Sequence, residues 1–169
     1  MKLISSKSNH LKCGFVLSAL TLLALAAPAL AGNEVPYIGT EVGVITSVSF
    51  HFPFDMKSQT AEGEATQFGH YSLTGSFVVD VRSGTGAGAF TLTAANGDML
   101  FLDMETAVVP TDLTKTVAHF TVTGGTGRFE GATGSFTSSN QLAHFVGASS
   151  NPYVAEIEGT ISTPGANKK

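Results

Sequence analysis

From residue 38 onward the sequence repeats one pattern: short runs alternating apolar and polar residues, cut by Gly, Asn and Pro. Alternation at period two marks a strand with one buried face, and no segment after Ala31 carries apolar residues at helical spacing. Eight runs can be drawn, over residues 38–52, 63–73, 75–81, 87–94, 98–108, 116–123, 135–145 and 153–162. In the first, Val44, Val48, Phe50 and Phe52 share a face, and Pro53 ends the strand or places it at an edge. Residues 54–62 read as a polar loop. Gly69 reads as a bulge, and Asn96-Gly97 as a type I′ hairpin turn. Without a helix for a parallel crossover, the chain is an antiparallel sandwich or an up-and-down barrel. The eight-stranded antiparallel barrel is preferred, because closure removes the exposed edges.

The first 31 residues stand apart. Lys2, Lys7 and Lys12 precede an apolar run over residues 14–25, and Ala29-Leu30-Ala31 supplies a small-x-small cleavage pattern. This is a secretory signal peptide with cleavage expected after Ala31, so the product is secreted or periplasmic. The domain is then residues 32–162, followed by a frayed polar tail at 163–169. Cleavage removes three of the nine basic residues and none of the 13 acidic ones, so the formal net charge moves from −4 to −7. That balance argues against nucleic acid and anionic membranes. Cys13 leaves with the leader, so the mature chain has no disulfide and no thiolate ligand.

One stretch is too dense in glycine for ordinary strand or turn: Gly124-Gly125-Thr126-Gly127-Arg128-Phe129-Glu130-Gly131-Ala132-Thr133-Gly134. It lacks the Gly-Lys-(Ser/Thr) ending and following helix of a phosphate-binding loop. Its reading is structural: Gly124, Gly125, Gly127, Gly131 and Gly134 let the chain turn tightly while Phe129 plugs one end of the barrel. Arg128 and Glu130 are expected to point to solvent. The segment resembles the glycine motif of allene oxide cyclases and plant dirigent proteins, and more closely that of secreted bacterial proteins with an allene-oxide-cyclase-like barrel. The fragments 63–69 (Gly-Glu-Ala-Thr-Gln-Phe-Gly), 94–98 (Ala-Ala-Asn-Gly-Asp) and Gly159-Thr160-Ile161 are similar to that group in the same order. The resemblance implies an eight-stranded barrel around an apolar cavity, commonly assembled as a trimer. It carries over no catalytic residue.

Candidate ligand contacts are the apolar stripes: Phe50, Phe52, Phe77, Phe90, Leu92, Leu100, Leu102, Phe120 and Val122. The plain alternative is a packed core. Val78 and Phe101 on outward faces hint at subunit contact. His51, His70, His119 and His144 lie on different strands without paired spacing, so no metal is expected, and nothing calls for a cofactor. Asp103 with Glu105, and Glu156 with Glu158, read as a solvated outer wall. Tyr71, Asp80 and Arg82 are open candidates for the barrel mouth. The leading expectation is an exported barrel that binds or sequesters an apolar small molecule without catalysis. The alternatives are an allene-oxide-cyclase-like isomerase and a purely structural secreted protein.

Overall fold

The computed structural model describes residues 34–164, which fold into β1 (Glu34–His51), β2 (Phe54–Ala65), β3 (Gly69–Asp80), β4 (Thr85–Ala94), β5 (Met99–Val108), β6 (Lys115–Gly125), β7 (Gly134–Leu142) and β8 (Ser150–Ser162). Each strand pairs antiparallel with the next, and β8 pairs back onto β1, so the sheet closes as an eight-stranded barrel. The leader at residues 1–31 and the end of the tail at 165–169 lie outside the described residues.

Up-and-down order puts alternate connections at opposite ends. The β1–β2, β3–β4, β5–β6 and β7–β8 connections share one end, called the mouth below. The other three connections and the start of β1 share the opposite, closed end. Backbone hydrogen bonds tie the mouth loops together: Val81 N–H to Pro53 O at 2.9 Å, Val108 N–H to Gly84 O at 2.9 Å, and Val146 N–H to Leu113 O at 3.1 Å.

Eight strands were expected, but one boundary moves. Residues 54–62 are not a loop; they belong to β2. Their alternation is real, but its inward members are polar: Asp55, Lys57 and Gln59 are buried. Residues 63–73 and 75–81 are not two strands either. The chain turns at residues 66–68, and β3 runs unbroken from Gly69.

β1 is read on the wrong face for the same reason. Its inward residues include Tyr37, Glu41 and Ile45, whereas Ile38, Val42 and Val48 face solvent. A bulge between Ser47 and Ser49 shifts the register near the mouth. Phe50 and Phe52 are consequently 56% and 73% exposed. The Asn96-Gly97 turn is also not type I′. Only Gly97 has positive φ (87°), Gly97 N–H bonds Ala94 O at 2.8 Å, and Ala94 N–H bonds Asp98 O at 2.9 Å. That pattern is a three-residue loop ending in a left-handed glycine.

Elsewhere the alternation lies as expected. Phe77, Phe90, Leu92, Leu100, Leu102, Phe120 and Val122 all point inward and are buried. Asp103, Glu105, Glu156 and Glu158 are exposed on the wall, and His51, His70, His119 and His144 are exposed as well. Val78 and Phe101 are exposed on the outer face.

Candidate functional site

The closed end is sealed by aromatic stacking. Gly127–Phe129 form a single 3-10 turn that drops Phe129 into the bore, where it is fully buried. Its ring stacks on Phe68 at 4.3 Å between centroids, and Phe68 meets Tyr71 and Tyr37 edge-on. Arg128 does not reach for solvent, contrary to expectation. Its guanidinium lies 4.8 Å from the Phe129 ring centroid, and one of its N–H groups donates to Phe68 O at 2.9 Å. A cation over an aromatic face is attracted by the ring quadrupole, so Arg128 clamps the plug from outside. Glu130 is exposed.

Above the plug lies a buried acid that the sequence reading did not single out. Glu41 accepts hydrogen bonds from Tyr153 OH at 2.6 Å and Tyr71 OH at 3.1 Å, and Gln59 Nε2 donates to Tyr153 OH at 2.6 Å. Two glycines make this convergence fit. In register, Gly63 stands between Glu41 and Tyr71, and a Cβ there would lie 2.5 Å from Tyr71 OH. Gly43 faces Tyr153, and a Cβ there would lie 2.7 Å from its ring. Burial raises the Glu41 carboxyl pKa above the usual range, while the two phenol hydrogen bonds pull it back. Burial, then the Glu41 charge, pushes Tyr71 and Tyr153 far above ordinary phenols, so both stay neutral donors. Tyr37 is pushed up by the same two causes, opposed by the neighbouring Tyr71 hydroxyl, and its own OH is buried without a hydrogen-bond partner.

Toward the mouth the bore opens into a cavity of about 350 Å³. Its lining has two distinct sides. Its buried polar and charged side chains, Asp55, Lys57, Gln59, Asn140 and Asn151, come from β2, β7 and β8, which with β1 between them form one side of the closed sheet. The opposite side, β3 to β6, supplies Phe77, Val79, Met104, Ala118 and Phe120. On the polar side Lys57 Nζ sits 2.7 Å from Asp55, which also accepts a hydrogen bond from Ser47 Oγ at 2.6 Å. Asn140 accepts from Ser138 and donates to Thr116. Asn151 binds the backbone of His144 and Phe145 through both ends of its amide, holding the β7–β8 loop at the rim. Gln59 both lines the cavity and bonds Tyr153, so it links the cavity to the Glu41 cluster.

Of the candidate contacts read from sequence, Phe77 and Phe120 line this cavity. Phe90, Leu92, Leu100, Leu102 and Val122 are in the packed core and are not part of its lining. Phe50 and Phe52 are outside it, exposed near the mouth. Tyr71 is deep in the bore; Asp80 and Arg82 stand at the mouth and pair with each other at 2.7 Å. Asp55, Lys57, Gln59, Asn140 and Asn151 were missed. For Asp55, Lys57 and Gln59 the signal was the Asp-x-Lys-x-Gln alternation of β2, hidden because polar residues at period two look like a loop.

No protein-family model matches the sequence, and no curated protein is significantly similar to it. Among solved structures, a pterocarpan synthase dirigent protein shares the fold, with a TM-score of 0.56 over 84% of this chain and 98% of its own. The two are 13% identical in sequence, so the likeness is one of fold alone.

Proposed function

We propose that this dirigent-like barrel is an exported binding protein that holds a small, mainly apolar molecule in the mouth cavity without converting it. One observation carries the reading: a cavity of about 350 Å³, closed below, with Phe77, Met104 and Phe120 on one side. That volume falls within the range of small-molecule sites, roughly 300–1,000 Å³. A filled bore would favour a purely structural role. The polar side narrows the ligand class. An apolar body against β3–β6 leaves Asp55, Lys57 and Asn151 to meet one polar group, such as a hydroxyl or carbonyl, whose desolvation they would offset.

Filling the cavity tests this. Val79→Phe places a ring in the lining, and Nile red binding to the chain from Gly32 should weaken about tenfold or more, the scale of one displaced aromatic contact. Unchanged affinity, in a variant that still folds, would remove the cavity from consideration. Native mass spectrometry of the same chain should show a bound molecule of a few hundred daltons carried through purification.

A second reading is favoured by the Asp55–Lys57 pair, a buried acid and base within the lining. On this reading the barrel is an isomerase that shapes an apolar substrate and moves one proton. Lys57→Met separates the two: a binding protein returns any molecule chemically unchanged with or without Lys57, whereas an isomerase returns it in a chemically altered form that depends on Lys57.

A further inference from the structure

The barrel is chemically polarised from end to end. At the mouth, exposed Phe50, Phe52, Phe54, Val81, Leu113 and Phe145 come from all four connections or the strand ends beside them. Phe52 and Phe145 are the most exposed of these, at 73% and 63%. The charged residues of the mouth connections and the strand ends beside them are matched in pairs: Asp80 with Arg82 at 2.7 Å, and Asp112 with Lys115 at 3.3 Å. Most of the acidic surplus lies elsewhere, Glu105 in the mouth half of β5 being set back on the outer wall. Glu34, Glu62, Glu64, Asp98, Glu130 and Glu158 all belong to the closed end or the half of the wall nearest it.

We propose that the mouth docks on a neutral lipid surface, from which the cavity takes a single-chain amphiphile. The proposal rests on the binding reading above and names its source and ligand class. Three observations select a lipid layer as the occupant. The apolar rim is continuous with the cavity, since Val81 and Phe145 belong to both, so an acyl chain could pass between them without crossing water. The rim carries aromatic tips and paired charges, which suits the headgroup boundary of a zwitterionic bilayer and gives no attraction to an anionic one. The described chain enters and leaves the barrel away from the rim, since β1 begins and β8 finishes at the closed end. Docking is peripheral. Among the described residues no helix is long and apolar enough to cross a membrane. The outward wall carries Glu62, Asp103, Glu105 and Glu156 where a membrane-spanning barrel has an apolar band.

The experiment is flotation with phosphatidylcholine vesicles, using the chain from Gly32, which contains every strand of the closed barrel. Wild type should float with the vesicles. Phe52→Ser/Phe145→Ser should reduce the bound fraction on the order of 100-fold, the expectation for losing two inserted aromatic side chains. Phe101→Ser, an exposed apolar residue on the opposite half of the wall, should leave flotation unchanged. Absence of flotation by wild type, equal loss with Phe101→Ser, or full flotation of the rim variant overturns the proposal. So does a wild-type dimer in native mass spectrometry that the rim variant dissociates while neither floats. Nile red binding in vesicle-free solution keeps the two readings separate: dye binding without flotation defeats docking alone, and flotation without dye binding defeats the cavity alone.

Discussion

Gly125→Val should open the closed end of the barrel and lower the melting temperature by about 10 °C or more. A Cβ at Gly125 would lie 2.4 Å from Met99 O and 2.7 Å from Phe129 Cβ. Neither neighbour can yield cheaply. Met99 O accepts the Thr126 N–H at 2.8 Å, and Phe129 is stacked on Phe68 at the centre of the plug. Relieving the overlap therefore means withdrawing Phe129, whose burial contributes roughly 1.5–3 kcal/mol, with the clash adding about 1–3 kcal/mol more. A loss of about 3–5 kcal/mol corresponds to the stated shift for a domain of this size. Gly127→Val should act in the same direction for a second reason. Its φ is +56°, and a Cβ there would collide with the Asp98 carboxylate that receives the Arg128 N–H. Thermal melts followed by circular dichroism decide the matter; wild-type melting of both variants would mean that the glycines do not set the plug.

Tyr153→Phe should be the second large effect, and it should depend on pH. The lost hydroxyl accepts from Gln59 and donates to Glu41, both at 2.6 Å. Its removal strands a buried amide and a buried carboxyl oxygen together, at a cost of about 2–3 kcal/mol. The cost should be greater where Glu41 is ionised, because a charged acceptor loses more than a neutral one. Glu41 itself supplies the control. Its folded pKa is raised above the unfolded value near 4.5, so folding favours the protonated acid. Its contribution to stability is complete below that value and falls away as pH rises through the raised folded pKa. Wild-type stability should therefore decline relative to Glu41→Gln as pH rises above the unfolded value near 4.5, since the amide does not titrate. Parallel stability curves for the two proteins would show that folding does not raise the Glu41 pKa. A Tyr153→Phe loss under about 0.5 kcal/mol would mean that water replaces the hydroxyl.

The plug and the polar bore differ in how far they could be read in advance. The plug was legible because a glycine cluster admits few structural uses, and one phenylalanine inside it invites burial. What the cluster could not show was Arg128 folding back over Phe129, which depends on Phe68 arriving from the β2–β3 turn, 60 residues away in sequence. The candidate site was less legible still. Phe77 and Phe120 stood out because their strands alternate apolar-in and polar-out. Glu41, Asp55, Lys57 and Gln59 did not, because β1 and the first half of β2 alternate the other way.

The residues alone determined the all-β class, the antiparallel connectivity and the tight glycine turn, since each follows from local periodicity or local backbone freedom. They did not determine which face of each strand looks inward. Period two is symmetric: it says that two faces differ, not which one is enclosed. Only closure of the sheet decides that, by placing β7, β8, β1 and β2 side by side so that their polar residues satisfy one another across strands. A buried carboxyl group beside two phenols is tolerable only in such company, and that company is brought together from residues up to 112 positions apart.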